Sequence, residues 1–195
     1  SFAVRNKSYE CSLSDYSCES EVSGSPEDSY NEFLSPDETK AAFIRDHNLW
    51  LRDTKTDSLT QLTFDGEENY GYATNNAGWT RRDKPVLLWS PDSKRIATFQ
   101  HDSRKVGEMY LVSTEVGHSE LEQWKYPLPG DEHIFMIERV VINLDGPEPD
   151  VVRLDMEPDA HRSTITDHVA ARDGSFLDVE WSEDSSKLAF VSSSR

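Results

Sequence analysis

Three stretches of this chain share one pattern: an apolar residue, Ser, a turn reaching Asp, a Lys, and a short β-prone run. The first is Leu34-Ser35-Pro36-Asp37 with Lys40 and Ala41-Ala42-Phe43. The second is Trp89-Ser90-Pro91-Asp92 with Lys94 and Ile96-Ala97-Thr98-Phe99. The third is Trp181-Ser182-Glu183-Asp184 with Lys187 and Leu188-Ala189-Phe190. A repeat decides architecture before any local propensity does, because each copy must bury a face against its neighbours. The serines stand at 35, 90 and 182, intervals of 55 and 92. A propeller blade takes roughly 40–50 residues, so one long blade fits the first interval and about two units fit the second. The expected fold is all-β: a partial β-propeller of about three to four antiparallel blades, the last blade truncated.

Residues 1–32 read as an N-terminal strand, a hairpin and a Ser/Glu/Gly/Pro-rich linker. Residues 33–195 read as the propeller fragment, with units at about 33–63, 86–127, 138–156 and 176–195. In the second unit the strands fall at 86–89, 95–100, 108–113 and 121–126; the next unit lacks the Ser-Asp turn and has strands at 138–144 and 151–156. The interval 64–85 breaks this rhythm with aromatics set among small residues, Tyr70-Gly71-Tyr72-Ala73-Thr74 through Trp79. It is longer than a blade connection requires, and long ordered loops often carry function.

Bulk chemistry narrows the partners. The net charge is −17, with 37 acidic against 20 basic residues. Such a surface repels phosphate backbones and anionic membranes, so no nucleic-acid partner is expected. No apolar run reaches the ~20 residues of a membrane span. Mean hydropathy is −0.71, yet five Trp, seven Tyr and eight Phe supply core material. The chain opens at Ser1-Phe2 without a leader, which reads as a fragment of a longer protein. Cys11 and Cys18 are the only cysteines. They either close a short disulfide across two adjacent strands, as suits an exported protein, or remain free thiols.

The chemistry of a catalytic domain is missing. The sequence has no Gly-x-Ser-x-Gly elbow, phosphate loop, dinucleotide fingerprint or His-Glu-x-x-His. Its six histidines are scattered, none at a metal-ligand spacing, and read as surface residues. No metal and no cofactor are expected. Two loops remain as candidates for binding. Glu67-Glu68 beside Tyr70 and Tyr72 is either a solvated turn or a cradle for an ammonium group, held by charge and cation–π contact. Arg81-Arg82-Asp83-Lys84, after Trp79, is either a solvated, internally paired loop or a site whose arginines fork onto a peptide carboxylate or carbonyl.

Taken in order, several of these segments resemble one family. They are Ala42-Phe43-Ile44-Arg45-Asp46-His47-Asn48-Leu49-Trp50-Leu51-Arg52-Asp53, Gln61-Leu62-Thr63, Asp65-Gly66-Glu67-Glu68-Asn69, Trp89-Ser90-Pro91-Asp92-Ser93-Lys94 and Tyr126-Pro127-Leu128-Pro129-Gly130. Over about residues 33–195 the chain is similar to the N-terminal β-propeller of dipeptidyl peptidase IV-like enzymes, in the prolyl oligopeptidase family of serine peptidases. The resemblance implies a non-catalytic cap over a C-terminal α/β-hydrolase domain that carries the catalytic triad. Such a cap gates the entry of short peptides and helps hold their amino terminus. It also implies a periplasmic or secreted parent and leaves a homodimer open. The family's amine anchor, a Glu pair in a Trp-x-Tyr-Glu-Glu-Glu segment, has no counterpart. The matching stretch is Trp79-Thr80-Arg81-Arg82-Asp83-Lys84, in which Asp83 is the one acid. The competing reading is a stand-alone β-propeller module for protein interaction.

Overall fold

A computed structural model describes residues 2–4, 7–11, 18–21, 31–74, 84–114, 116–161, 169–171 and 174–192. The chain divides into two units, Ser1–Tyr30 and Asn31–Arg195. In the first, β1 (Phe2–Val4), β2 (Lys7–Cys11) and β3 (Cys18–Glu21) form an antiparallel meander. Its register sets the backbones of Cys11 and Cys18 directly opposite one another. The expected disulfide concerns their side chains, which lie outside the described residues.

The second unit begins with four antiparallel strands in sequence order: β4 (Phe33–Leu34), β5 (Lys40–Arg45), β6 (Asn48–Asp53) and β7 (Leu59–Gln61). Asp46 and His47 join β5 to β6, with φ of 49° and 65°. Two left-handed residues in a two-residue loop match the right-handed twist of the strands they connect.

The Ser-Asp turns explain why the repeat recurs. In each, the serine hydroxyl donates to the Asp two residues on, at 2.7 Å for Ser35–Asp37, 2.5 Å for Ser90–Asp92 and 2.6 Å for Ser182–Asp184. The same oxygen accepts the backbone N–H five residues on, from Lys40, Arg95 and Lys187, at 3.0, 2.9 and 2.9 Å. A left-handed residue completes each turn: Glu38, Ser93 and Ser185, with φ of 57°, 58° and 59°. The hydroxyl thus satisfies a backbone donor that the reversing chain would otherwise strand, and it pins the Asp side chain within the same turn. Hydrogen bonds from Ser35, then from the Thr39 amide, hold the Asp37 carboxyl well below its ordinary range. Those from Ser182 and Ser186 bring Asp184 to about 2.

The next sheet departs from expectation. Its strands are β8 (Tyr70–Tyr72), β9 (Leu88–Trp89) and β10 (Arg95–Asp102), followed after an intervening hairpin by β13 (Met136–Asn143), β14 (Asp150–Arg153) and β15 (Asp159–Ala160). The hairpin consists of β11 (Glu108–Val112) and β12 (Leu121–Lys125), which pair with each other in a two-stranded sheet. The sequence places 108–126 inside one unit and 138–156 in another. In the structure β10 pairs with β13 over eight residues, from Arg95↔Asn143 to Asp102↔Met136. The reason is burial. Ile96 through His101 are all buried, so β10 needs a partner that is also buried, and β13 brings Ile137, Val140 and Ile142. By contrast, Tyr110, Leu111, Val112 and Leu121 of the hairpin are all more than half exposed.

With the two-stranded hairpin set aside, the third sheet of this unit pairs β16 (Val179–Trp181) with β17 (Leu188–Phe190). Among the described residues there is no α-helix, and no helix long and apolar enough to cross a membrane. The three successive antiparallel sheets form a partial β-propeller. One core cluster, with Ala42, Leu49, Leu62, Tyr72, Trp89 and Ile96, joins the first sheet to the second. Another, with Val86, Phe99, Ile137, Val169 and Phe176, lies between the second sheet and the residues leading into the third.

Candidate functional site

The backbone on either side of residues 75–83 is pinned to β10. The Ala73 N–H donates to the Phe99 carbonyl at 2.8 Å, and the Val86 N–H donates to the Ala73 carbonyl at 2.9 Å. The Thr98 hydroxyl closes the joint on the Val86 carbonyl at 2.8 Å. Ala73 and Val86 are therefore both fixed to β10. Lys84 sets its ammonium 5.1 Å from the Phe33 ring on β4. Trp79, Arg81, Arg82 and Asp83, named from the sequence as binding candidates, lie outside the described residues.

Glu67 and Glu68 sit in a tight turn. The Glu67 and Tyr70 backbones exchange hydrogen bonds of 3.1 and 2.9 Å, with Asn69 at φ 64°. Gly66 before it has no room for a side chain: a Cβ would stand 2.3 Å from the His47 carbonyl oxygen. This turn carries the Glu67 carboxylate to 3.4 Å from Arg104, whose guanidinium stacks 3.7 Å from the Tyr70 ring centroid. Asp102 grips the same guanidinium through two oxygens, at 3.0 and 2.7 Å, and those bonds hold its carboxyl below the ordinary value. The charge and ring that the sequence offers to a substrate ammonium are thus engaged by the chain's own arginine. Glu68 is exposed and stands apart from this stack.

Beside it lies a second cluster that sequence reasoning did not single out. Arg153 on β14 reaches Asp65 at 2.7 Å, the Tyr72 hydroxyl at 2.8 Å and Glu138 at 2.9 Å. The Tyr72 hydroxyl in turn donates to Asp65 at 2.6 Å. Burial, then the bond to Asp65, pushes the Tyr72 phenol above its ordinary range. Asp65 comes from the first sheet's exit and the other groups from the second sheet. The cluster fastens one sheet to the next. A patterning signal exists only for β8 and β10, where Tyr72 pairs with Gln100; the reach of Arg153 across 81 positions leaves none.

Two histidines also differ from their surface reading. His101 and His161 are 2% and 3% exposed, with ring centroids 5.2 Å apart. Burial, then the neighbouring His161, lowers the His101 pKa to about 3, which keeps the ring neutral and unsuited to proton transfer near neutral pH. Among the described residues, no group of three or more His, Cys, Asp or Glu could hold a metal ion.

The described geometry is one of sheets locked together by ion pairs and hydrogen bonds. Comparison with known proteins agrees with the propeller fold. The model of the dipeptidyl peptidase IV (DPP IV) N-terminal region matches residues 3–195. The dipeptidyl-aminopeptidase B sequence of Aspergillus fumigatus is 30% identical over 162 residues, covering 77% of this chain and 17% of the relative. Its counterpart from Neosartorya fischeri is 28% identical over 166 residues, covering 79% and 17%; both carry the designation probable. This chain therefore spans 17% of the length of those relatives. Among solved structures, Porphyromonas gingivalis dipeptidyl peptidase 4 superposes with a TM-score of 0.52 at 23% identity, covering 65% of this chain and 18% of that one. A Bacteroides ovatus protein gives 0.54 at 17% identity, covering 96% and 23%.

Proposed function

The chain belongs to the dipeptidyl peptidase IV N-terminal region family, and from that membership we propose that it is the non-catalytic propeller cap of a DPP IV-like serine exopeptidase. The catalytic triad then resides in a C-terminal α/β-hydrolase domain of the parent, and short peptides are the substrates. The observation that carries this reading is the family match over residues 3–195, and the fixing of Ala73 and Val86 to β10 on either side of the candidate stretch supports it. A stretch anchored in this way suits a cap that admits a short peptide and holds one end of it. Asp83 is the acid proposed for the peptide ammonium, with Arg81, Arg82 and Trp79 beside it. The reading also includes an exported parent with Cys11 bonded to Cys18, whose backbones the register sets opposite each other. A homodimer belongs to it too, and the exposed apolar residues of the β11–β12 hairpin favour one.

The experiment uses a chromogenic Xaa-Pro amide with the purified chain and with its longer parent. The chain alone leaves the reporter intact and the parent cleaves it; turnover by the chain alone would sink the proposal. In the parent, Asp83→Asn raises KM roughly tenfold or more at similar kcat, the size of one lost charge-assisted bond. An unchanged KM removes Asp83 from its role.

A further inference from the structure

The β11–β12 hairpin rises from a fixed base. The Tyr126 N–H donates to the Gly107 carbonyl at 2.8 Å, and the Lys125 ammonium reaches the Val106 carbonyl at 3.0 Å. Among the described residues, the two strands beyond that base pair only with each other. Each therefore keeps one edge of unpaired backbone groups, a template for a further strand. On β11 the direction of those groups follows from its ends. The Gly107 carbonyl points inward to β12, and so does the Ser113 N–H, which donates to the Glu120 carbonyl at 2.8 Å. Backbone groups alternate sides along an antiparallel strand. Met109 and Leu111 thus bond inward, while Tyr110 and Val112 turn their N–H and C=O to the free edge.

Charge, proline and short length are what protect an edge. β12 carries Glu122 and Lys125. β14 follows Pro149 and carries Asp150 and Arg153, and β7 has three residues. From Met109 to Val112, β11 has no charge and no proline. The one charge at its start, Glu108, is engaged by the Tyr110 hydroxyl and the Gln123 amide at 2.6 Å each and by Lys125 at 3.3 Å. Tyr110, Leu111 and Val112 are 56%, 53% and 55% exposed.

Resting on the homodimer included in the cap reading, we propose that the free edge of β11 pairs antiparallel with β11 of a second copy, about a two-fold axis at Leu111. Such a contact is isologous and closes on itself. Tyr110 of each copy then lies opposite Val112 of the other and exchanges backbone hydrogen bonds with it, while Leu111 faces Leu111. Aromatic and β-branched residues make favourable cross-strand pairs, and no like charges stand opposite each other. Centring on Tyr110 instead would set the Glu108 carboxylate against Val112. In the joined sheet, ordered β12-β11-β11-β12, one face gathers Tyr110, Val112 and Leu121 of both copies, all more than half exposed in one chain. The net charge of −17 opposes contact between copies in general; this edge is uncharged and is its own complement, so a second copy is the occupant.

The test combines sedimentation equilibrium with thiol cross-linking. The chain sediments as a dimer, and Leu111→Cys oxidises to a disulfide between copies, because a directly opposed, non-hydrogen-bonded pair lies within disulfide range. The unaltered chain, with Cys11 and Cys18, sets the background, and Leu128→Cys, at a residue 51% exposed outside the hairpin, controls for collision. Equal yield from Leu128→Cys, or a higher yield from Tyr110→Cys, overturns the proposal. Leu111→Lys and Leu111→Glu each weaken the dimer at least tenfold, and mixing the two restores it. Because the Leu111 side chain is exposed, neither change threatens the fold. A chain that stays monomeric overturns the proposal together with the homodimer of the cap reading. A dimer indifferent to Leu111→Lys overturns the proposal alone and leaves that homodimer on another surface.

Discussion

His101 lies between two aromatic neighbours, with Phe135 and His161 centroids at 5.3 and 5.2 Å. An unfolded histidine titrates near 6.5, while this one is held to about 3, chiefly by burial. Between those values the unfolded chain takes up a proton that the folded chain refuses. The contribution to stability is complete above about pH 6.5 and is lost as pH falls toward 3, by up to about 1.4 kcal/mol per pH unit. Asp37 and Asp184, also held low, act only beneath the ordinary carboxylate range. His101→Phe is therefore expected to flatten the decline between pH 6.5 and 4.5, as measured by urea denaturation across that range. An equal slope in the variant would remove His101 as the source. In the sequence this residue looks like any scattered histidine. It follows Phe99 and Gln100 in a strand buried on both faces, where alternation between apolar and polar residues carries no information.

At the scale of elements, β13 is the strand that ties sheets together. Its Arg139 is 4% exposed and contacts Asp159 at 2.7 Å and Asp178 at 2.5 Å, with the Phe190 ring 4.9 Å from its guanidinium carbon. Asp159 is held in turn by the Ser192 hydroxyl. Removing one partner of a buried ion pair strands the other charges and costs about 3–5 kcal/mol. Arg139→Met is expected to lower stability by about that amount, with the earliest loss of exchange protection in β16–β17. Adding Asp159→Asn and Asp178→Asn to it should restore part of the loss; no recovery would mean that packing, not charge, sets the cost. The sequence made the turns, the β5–β6 hairpin and the inner strands legible, because Ser, Pro, Asp and alternating apolar residues specify them locally. It misassigned 108–126 because a projecting hairpin and a blade's outer strands share the same β-prone composition. Only the two-sided burial of β10 and β13 separates them. The Glu67–Glu68 turn was legible as a loop, but its contacts were not. Arg104 and Arg153 reach their partners across 37 and 81 positions, and local spacing cannot report such distances.

For the molecule as a whole, the order of sheets follows the order of the chain, so most pairings close short loops. The β10–β13 pairing is the longest of these closures, because the β11–β12 hairpin lies inside it, and the consequence is kinetic. The first sheet's central pair closes at Arg45↔Asn48, whereas the second closes at Asp102↔Met136 with the hairpin between them. Chain entropy makes the longer closure less favourable by about 2 kcal/mol. The second sheet should therefore limit the rate at which this unit reaches its native state. The Tyr126 N–H already donates to the Gly107 carbonyl at 2.8 Å, so joining these two residues and deleting 108–125 should disturb little else. That shorter chain is expected to refold about threefold faster in stopped-flow fluorescence, reflecting ~0.7 kcal/mol of closure entropy, and an unchanged refolding rate would place the slow step elsewhere. The hairpin would then sit within the slowest-forming joint of this unit, leaving β10 and β13 the last neighbours to meet as the chain folds.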